Sequence, residues 1–259
     1  MDPGQRPLRR IANGYTSGEE IDGTRYDWDS NSSAPAGPSW VAADSPIRED
    51  ADATANQAFS ADAVHYNPWG LVPDALPPME YAATSAGEAV RASLAELNVF
   101  PSSPVTVPPG SHIHILLDRR TLTTAYPALT VSGGKGARIA LTYAEALYDG
   151  NHHKGDRDAV GDRSAVGITD SLLLDGGPHR TFETLWWRTW RYLDLDIQTA
   201  SEPVHLESLT ASFTAYPFRE RATFNSGDPD LAKIWEISWR TARLGAHETY
   251  MDTPYWEQL

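Results

Sequence analysis

Residues 111–118 read SHIHILLD and residues 137–143 read ARIALTY. In the first, Ile113, Ile115 and Leu117 fall on one side of an extended chain, and in the second Ile139, Leu141 and Tyr143 do the same, because side chains along a strand alternate between faces. Residues 191–198, RYLDLDIQ, repeat the pattern with Leu193, Leu195 and Ile197 opposite Asp194 and Asp196. Residues 209–218, LTASFTAYPF, alternate Leu209, Ala211, Phe213 and Ala215 with Thr210, Ser212 and Thr214. Turn signals stand between these runs, SGGKG at 132–136 and DGG at 175–177. About six short strands, each with one apolar face, predict a mainly-β fold, an antiparallel two-sheet sandwich over residues 103–222.

Outward from this block the pattern changes on both sides. Residues 1–102 are rich in chain breakers, as in GYTSGEEIDG (14–23), DWDSNSSAPAGPSW (27–40) and WGLVPDALPPMEY (69–81). They read as loops and short extended pieces of a partial β-rich module and linker, with disorder as the alternative over 12–60. At about residue 223 the period switches to helical. Asp228 followed by Pro229 is an N-cap with proline at the first helical position, and Leu231, Ile234, Trp235 and Ala242 then fall on one stripe. One helix after a finished sandwich lacks a partner of its own kind, so residues 223–259 read as the start of a further domain.

Composition narrows the function. The chain has 259 residues with 35 acidic and 21 basic side chains, a formal charge of -14. That charge repels the phosphate backbone that dominates nucleic-acid affinity, so nucleic acid is not an expected partner. With no cysteine, disulfides, thiolate nucleophiles and cysteine-ligated zinc are out, while the compartment stays open. Residues 1–15 carry basic residues without an apolar run behind them and do not read as a signal peptide, and no stretch reaches the length of a membrane span. No cofactor is expected.

The C-terminal stretch HETYMDTPYWEQL, 247–259, sets Asp252 and Glu257 among Tyr250, Tyr255 and Trp256. From spacing alone this is a helix start, with Thr253 as N-cap, Pro254 at the first position and Glu257 in the first turn, where the helix dipole favours a carboxylate. The chemical alternative is a pocket in which one carboxyl group donates a proton to a glycosidic oxygen. Such a donor needs its pKa raised by desolvation, against the pull of the helix terminus. Three other groups carry weaker signals. His112 and His114 share a strand face, and two histidines without a third ligand read as surface residues. The loop YDGNHHKGDRDAVGD (148–162) is acidic but lacks the ligand register of a calcium loop. Trp186, Arg188, Trp190 and Tyr192 in LWWRTWRY (185–192) could form a sugar platform, but fit better as a packed face with Arg188 stacked on the aromatics.

The string FNSGDPDLAKIWEISWRTARLGAHETYMDTPYWEQL (224–259) resembles the start of the catalytic domain of the bacterial α-L-rhamnosidases of glycoside hydrolase family 78. The likeness extends upstream through FETLWWRTWRYLDLDI (182–197), LLDRRTLTTAYPALTVSGGKGARIALTYAEALYD (116–149) and WGLVPDALPPMEY, roughly residues 65–259. It implies a β-sandwich leading into an (α/α)6 six-hairpin barrel, and inverting hydrolysis of terminal α-L-rhamnose from glycosides or polysaccharides. By position Glu257 matches the family's general acid and Asp252 the acidic residue that contacts rhamnose, with Tyr255 and Trp256 as further substrate-binding residues. Thr253 stands where the family commonly has cysteine. The resemblance also implies a Gly-Asp pair after Leu259 and a distant glutamate as general base, so the 259 residues are expected to be an inactive fragment of such an enzyme. Two alternatives remain: a non-catalytic carbohydrate-binding sandwich, and a glycosidase of the same fold for another sugar.

Overall fold

A computed structural model describes residues 18–26, 28 and 74–256, together with the backbone of 5–7. Residues 29–77 form a unit of their own, of which 74–77 are described; there Asp74 accepts the Leu76 N–H at 2.8 Å.

Among the described residues eleven strands join in one sheet that curls on itself. In chain order they are β1 (Gln5–Pro7), β2 (Glu19–Asp22), β3 (Ala82–Thr84), β4 (Glu88–Ala92), β5 (Val105–Val107), β6 (His112–Gly133), β7 (Arg138–Ala144), β8 (Thr169–Leu173), β9 (Arg180–Glu183), β10 (Arg188–Gln198) and β11 (Val204–Phe213). The fold is mainly β, as the alternation predicts, and the two layers share one strand. The first half of β6 runs between β10 and β4, and its second half between β11 and β9. The handover is a bulge: Trp190 pairs with Thr123 but Tyr192 with Asp118, so residues 119–122 of β6 stand opposite the single residue Arg191 of β10. Such an insertion bends a strand and sharpens its twist, which lets one strand turn the corner between layers.

One departure from the antiparallel expectation is β2, which runs parallel to β8. Residues near the N-terminus are thereby hydrogen-bonded into the same sheet as residues 169–173. β3 and β4, which precede residue 103, belong to that sheet as well.

Both layers feed one core. Ile113, Ile115, Ile139, Leu193, Leu195 and Ile197 meet Leu129, Val131, Val204 and Leu206 in a single buried cluster around Trp190. Each such aliphatic side chain contributes about 1.5–3 kcal/mol on burial. The register shift between Trp190 and Tyr192 changes which residues face inward: Trp190 lies in this core, whereas Tyr192 joins a second cluster with Leu116, Ala144 and Leu147 on the other face. The β7–β8 loop covers that second cluster, and the Tyr192 hydroxyl donates to the Arg157 carbonyl at 2.6 Å.

The helix, α1 (Pro229–Leu244), starts as its sequence predicts: Asp228 accepts the Asp230 N–H at 2.9 Å and Pro229 is its first residue. Among the described residues of α1 only Leu244 is buried.

Candidate functional site

The DTPYW stretch lies against the sandwich. Residues 253–256 form a turn in which the Trp256 N–H donates to the Thr253 carbonyl at 3.1 Å. Two bonds from the sheet fix this turn. Thr189 Oγ1, fully buried in β10, donates to the Pro254 carbonyl at 2.8 Å. The Tyr255 hydroxyl donates to the Tyr143 carbonyl at 2.8 Å, with the Val166 carbonyl at 3.3 Å. Gly167 makes room for this approach: a Cβ there would fall 2.1 Å from the Tyr255 hydroxyl and 1.9 Å from the Tyr143 carbonyl oxygen. Burial first, then the nearby Glu145, raises the Tyr255 pKa well above the ordinary phenol value, so it serves as a neutral donor.

The four residues singled out in this stretch thus have different surroundings. Tyr255 is buried, with its hydroxyl on the sheet. Trp256 is 43% exposed, stands edge-on to Tyr255 with ring centroids 5.1 Å apart, and carries the Lys154 ammonium 5.2 Å from its ring centroid. Asp252 is exposed. Glu257 lies outside the described residues. Lys154 comes from the acidic loop and pairs with Glu145; within the loop Asp149 accepts from the Asn151 and His153 N–H groups and Asp156 from the Asp158 N–H, while Asp158 pairs with Arg191 of β10.

Next to the turn is a pocket of about 280 Å³ lined by Met79, Tyr126, Trp186, Trp187, His247 and Met251. His247 stacks on Trp187 with centroids 4.2 Å apart and planes 7° from parallel. Burial pushes its pKa down to about 4, weakly opposed by the Thr214 backbone, so near neutrality the ring is uncharged. In the LWWRTWRY stretch Leu185 and Trp186 are exposed, whereas Trp187, Arg188, Trp190 and Tyr192 are buried.

Arg188 departs from the sequence expectation of stacking. Its guanidinium binds Asp170 through Nε to Oδ2 at 2.9 Å and Nη2 to Oδ1 at 2.8 Å, and Nη2 also meets Glu19 Oε1 at 2.9 Å. Burial opposes its charge, but the hydrogen bonds and charge of Asp170 outweigh that and raise its pKa. Glu19 further accepts the Leu185 N–H at 3.0 Å, fixing the chain just before Trp186 and Trp187. Sequence reading missed this joint because Glu19 and Arg188 stand 169 residues apart, and neither carries a local signal of its partner.

No protein-family profile matches the chain, and no curated protein matches it in sequence. Among solved structures, a rhamnosidase from Klebsiella oxytoca with rhamnose bound superposes with a TM-score of 0.53 at 16% identity, covering 69% of this chain and 37% of that one. A GH78 family rhamnosidase of Bacillus sp. GL1 gives a TM-score of 0.49 at 23% identity, covering 60% of this chain and 16% of that one. A fucolectin from striped bass (Morone saxatilis) serum gives 0.29 at 10% identity over 54% and 50%. This chain has the fold of a segment of the Klebsiella rhamnosidase, and it spans well under half the length of either rhamnosidase.

Proposed function

We propose that these residues are the sandwich and acid-loop portion of an inverting α-L-rhamnosidase, with residues 103–222 as the sandwich domain and 223–259 as the first helix and acid loop of a helical catalytic barrel. The observation that carries this reading is the fold shared with the Klebsiella oxytoca rhamnosidase, in a chain whose own sequence ends in the rhamnosidase-like DTPYWEQL. In this reading Glu257 protonates the leaving-group oxygen of a terminal α-L-rhamnoside, and Asp252 accepts hydrogen bonds from sugar hydroxyls. Trp256 offers an apolar ring face to the sugar. Tyr255 acts by position: with its hydroxyl bound to the Tyr143 carbonyl, it holds the loop while the flanking residues meet substrate.

Inversion needs a second carboxylate roughly 6.5–9.5 Å from the first, leaving space for the attacking water. In this proposal that base belongs to the helical domain, so residues 1–259 alone do not turn over substrate. The test uses the protein expressed from the whole reading frame that contains these residues, assayed with p-nitrophenyl α-L-rhamnoside. Glu257→Gln is expected to lower kcat by about 10²–10⁴, with NMR showing β-L-rhamnose as the first-formed product. Retention of configuration, hydrolysis of a different aryl glycoside in its place, or an unaffected Glu257→Gln variant would sink the reading. Rhamnoside binding that survives deletion of 224–259, without turnover by the whole protein, would instead identify a binding module.

A further inference from the structure

Away from the acid loop, the outer face of the sheet gathers two histidines and two aspartates on adjacent strands. His112 and His114 are two residues apart on β6, and Asp194 and Asp196 two apart on β10, so each pair projects from one face. In the antiparallel register Asp196 stands directly opposite His114 and Gln198 opposite His112. The side chains reach diagonally: His112 Nε2 lies 2.8 Å from Asp196 Oδ1, and His114 Nδ1 2.9 Å from Asp194 Oδ2. The two imidazole centroids are 5.4 Å apart. One ligand atom from each of His112, His114 and Asp196 lies within 4.8 Å of the others, and this is the one such convergence among the described residues.

We propose that His112, His114 and Asp196 bind a divalent transition-metal ion of borderline softness, Zn²⁺ foremost, with Asp194 as the group that orients His114. Two imidazoles and one carboxylate suit zinc, nickel or copper, whereas calcium and magnesium select oxygen donors. Three protein ligands leave a fourth tetrahedral position for water. Ligand atoms around zinc stand about 3.3 Å apart, given metal–ligand distances of about 2.0–2.1 Å. The His112–Asp196 contact of 2.8 Å is slightly shorter than this and the spacings in the group stay within 4.8 Å, so the side chains rotate toward a common centre to close on an ion. Asp194 engages His114 through Nδ1, which leaves Nε2 as the lone-pair nitrogen, the arrangement in which a carboxylate fixes the tautomer of a metal-binding histidine.

The framework beneath is closely packed. Ile113, Ile115, Leu195 and Ile197, the inward neighbours of these four residues, are buried in the main core, and ligands on packed strands are held more narrowly than ligands on loops. The ligand side chains themselves are accessible, with His112 58% and His114 47% exposed. Two carboxylates offset the charge of the ion. An ion here would staple β6 to β10 and stabilise the sandwich in proportion to its occupancy.

The test is calorimetric titration of ZnCl₂ into the full chain, with thermal melts alongside. The expected result is one saturable equivalent and a melting temperature that rises with zinc. Both effects should vanish in His112→Ala/His114→Ala, whose metal-free melt should match the unsubstituted protein because both side chains are exposed. Asp194→Asn should weaken affinity by about 10–100-fold without abolishing binding, as loss of an orienting group does. With Cu²⁺, electron paramagnetic resonance should show coupling to two imidazole nitrogens. Absence of saturable binding by zinc and copper, or binding unchanged in the double variant and therefore seated on other histidines, would overturn the proposal.

Discussion

The sandwich and α1 are built from similar side chains with opposite outcomes. In β6, β7 and β10 nearly every large apolar residue is shut away, down to 0% exposure for Ile115, Leu195 and Ile197. In α1, Leu231 is 41%, Ile234 56%, Trp235 39% and Ile237 52% exposed. The helix is well started and has an apolar stripe, yet that stripe has few described neighbours: Trp235 stacks on Phe224 with centroids 5.7 Å apart and donates to Glu220 at 3.2 Å, Trp239 meets Phe218 at 6.1 Å, and only at the last turn does Arg243 pair with Glu80 and lie over Phe213. Local sequence therefore suffices to write a helix or a strand, whereas stability comes from the surface against which the element is closed.

The largest effect should come from the joint where the sandwich has buried charge. Arg188 and Asp170 are 1% and 0% exposed and Glu19 10%. Removing one member strands the others in the core, so Arg188→Met should cost about 3–5 kcal/mol in urea denaturation. Replacing all three by apolar residues of similar volume should recover most of that, because desolvating the ions offsets much of their attraction. A loss below 1 kcal/mol for Arg188→Met would mean that water reaches the joint, and the contrast with α1 would weaken.

A smaller effect should appear between the two regions, at His247. Its folded pKa of about 4 lies below the ordinary 6.5 because burial disfavours the cation. Between those values the unfolded chain binds the proton more readily, so folded stability falls as pH drops from 6.5 to 4 and is fully present above 6.5. The full shift corresponds to about 3 kcal/mol, and residual solvent access reduces this to about 2 kcal/mol. Comparing urea midpoints across that window, His247→Gln should lose less stability on acidification than the unsubstituted protein. Parallel pH profiles for the two proteins would show that the ring is solvated.

Much of the sandwich was legible because alternation is local. Ile113 to Leu117, Ile139 to Tyr143 and Leu193 to Ile197 all point inward as their spacing predicts. Its closure was not legible. The sequence RRTLTT at 119–124 shows no periodicity, since it carries the extra residues that bend β6 from one layer into the other. The parallel pairing of β2 is fastened where the Glu19 backbone N–H donates to Asp170 Oδ1 and Arg188 binds both carboxylates, a meeting that only the folded chain brings about. At the candidate site, the acid loop was recognisable as a string. That the Tyr255 hydroxyl binds the sheet was not, because the space for it comes from Gly167, far away in sequence. The same limit hid the histidine cluster, in which the sequence presents two ligands and β10 supplies the third.

The smallest effect is expected on α1 itself. Ile234 and Ile237 are about half exposed, so Ile234→Gln/Ile237→Gln removes little buried apolar area and should shift the unfolding free energy of the sandwich by no more than about 0.5 kcal/mol. What should change is association: exposed apolar patches favour contacts between molecules, and sedimentation velocity should show less self-association in the double variant. A loss of 2 kcal/mol or more would mean that these side chains are closed against the fold in solution, and α1 would then obey the same rule as the strands. A stability unchanged by substitution, with association reduced, would mark the stripe as a surface that the described residues leave for another partner.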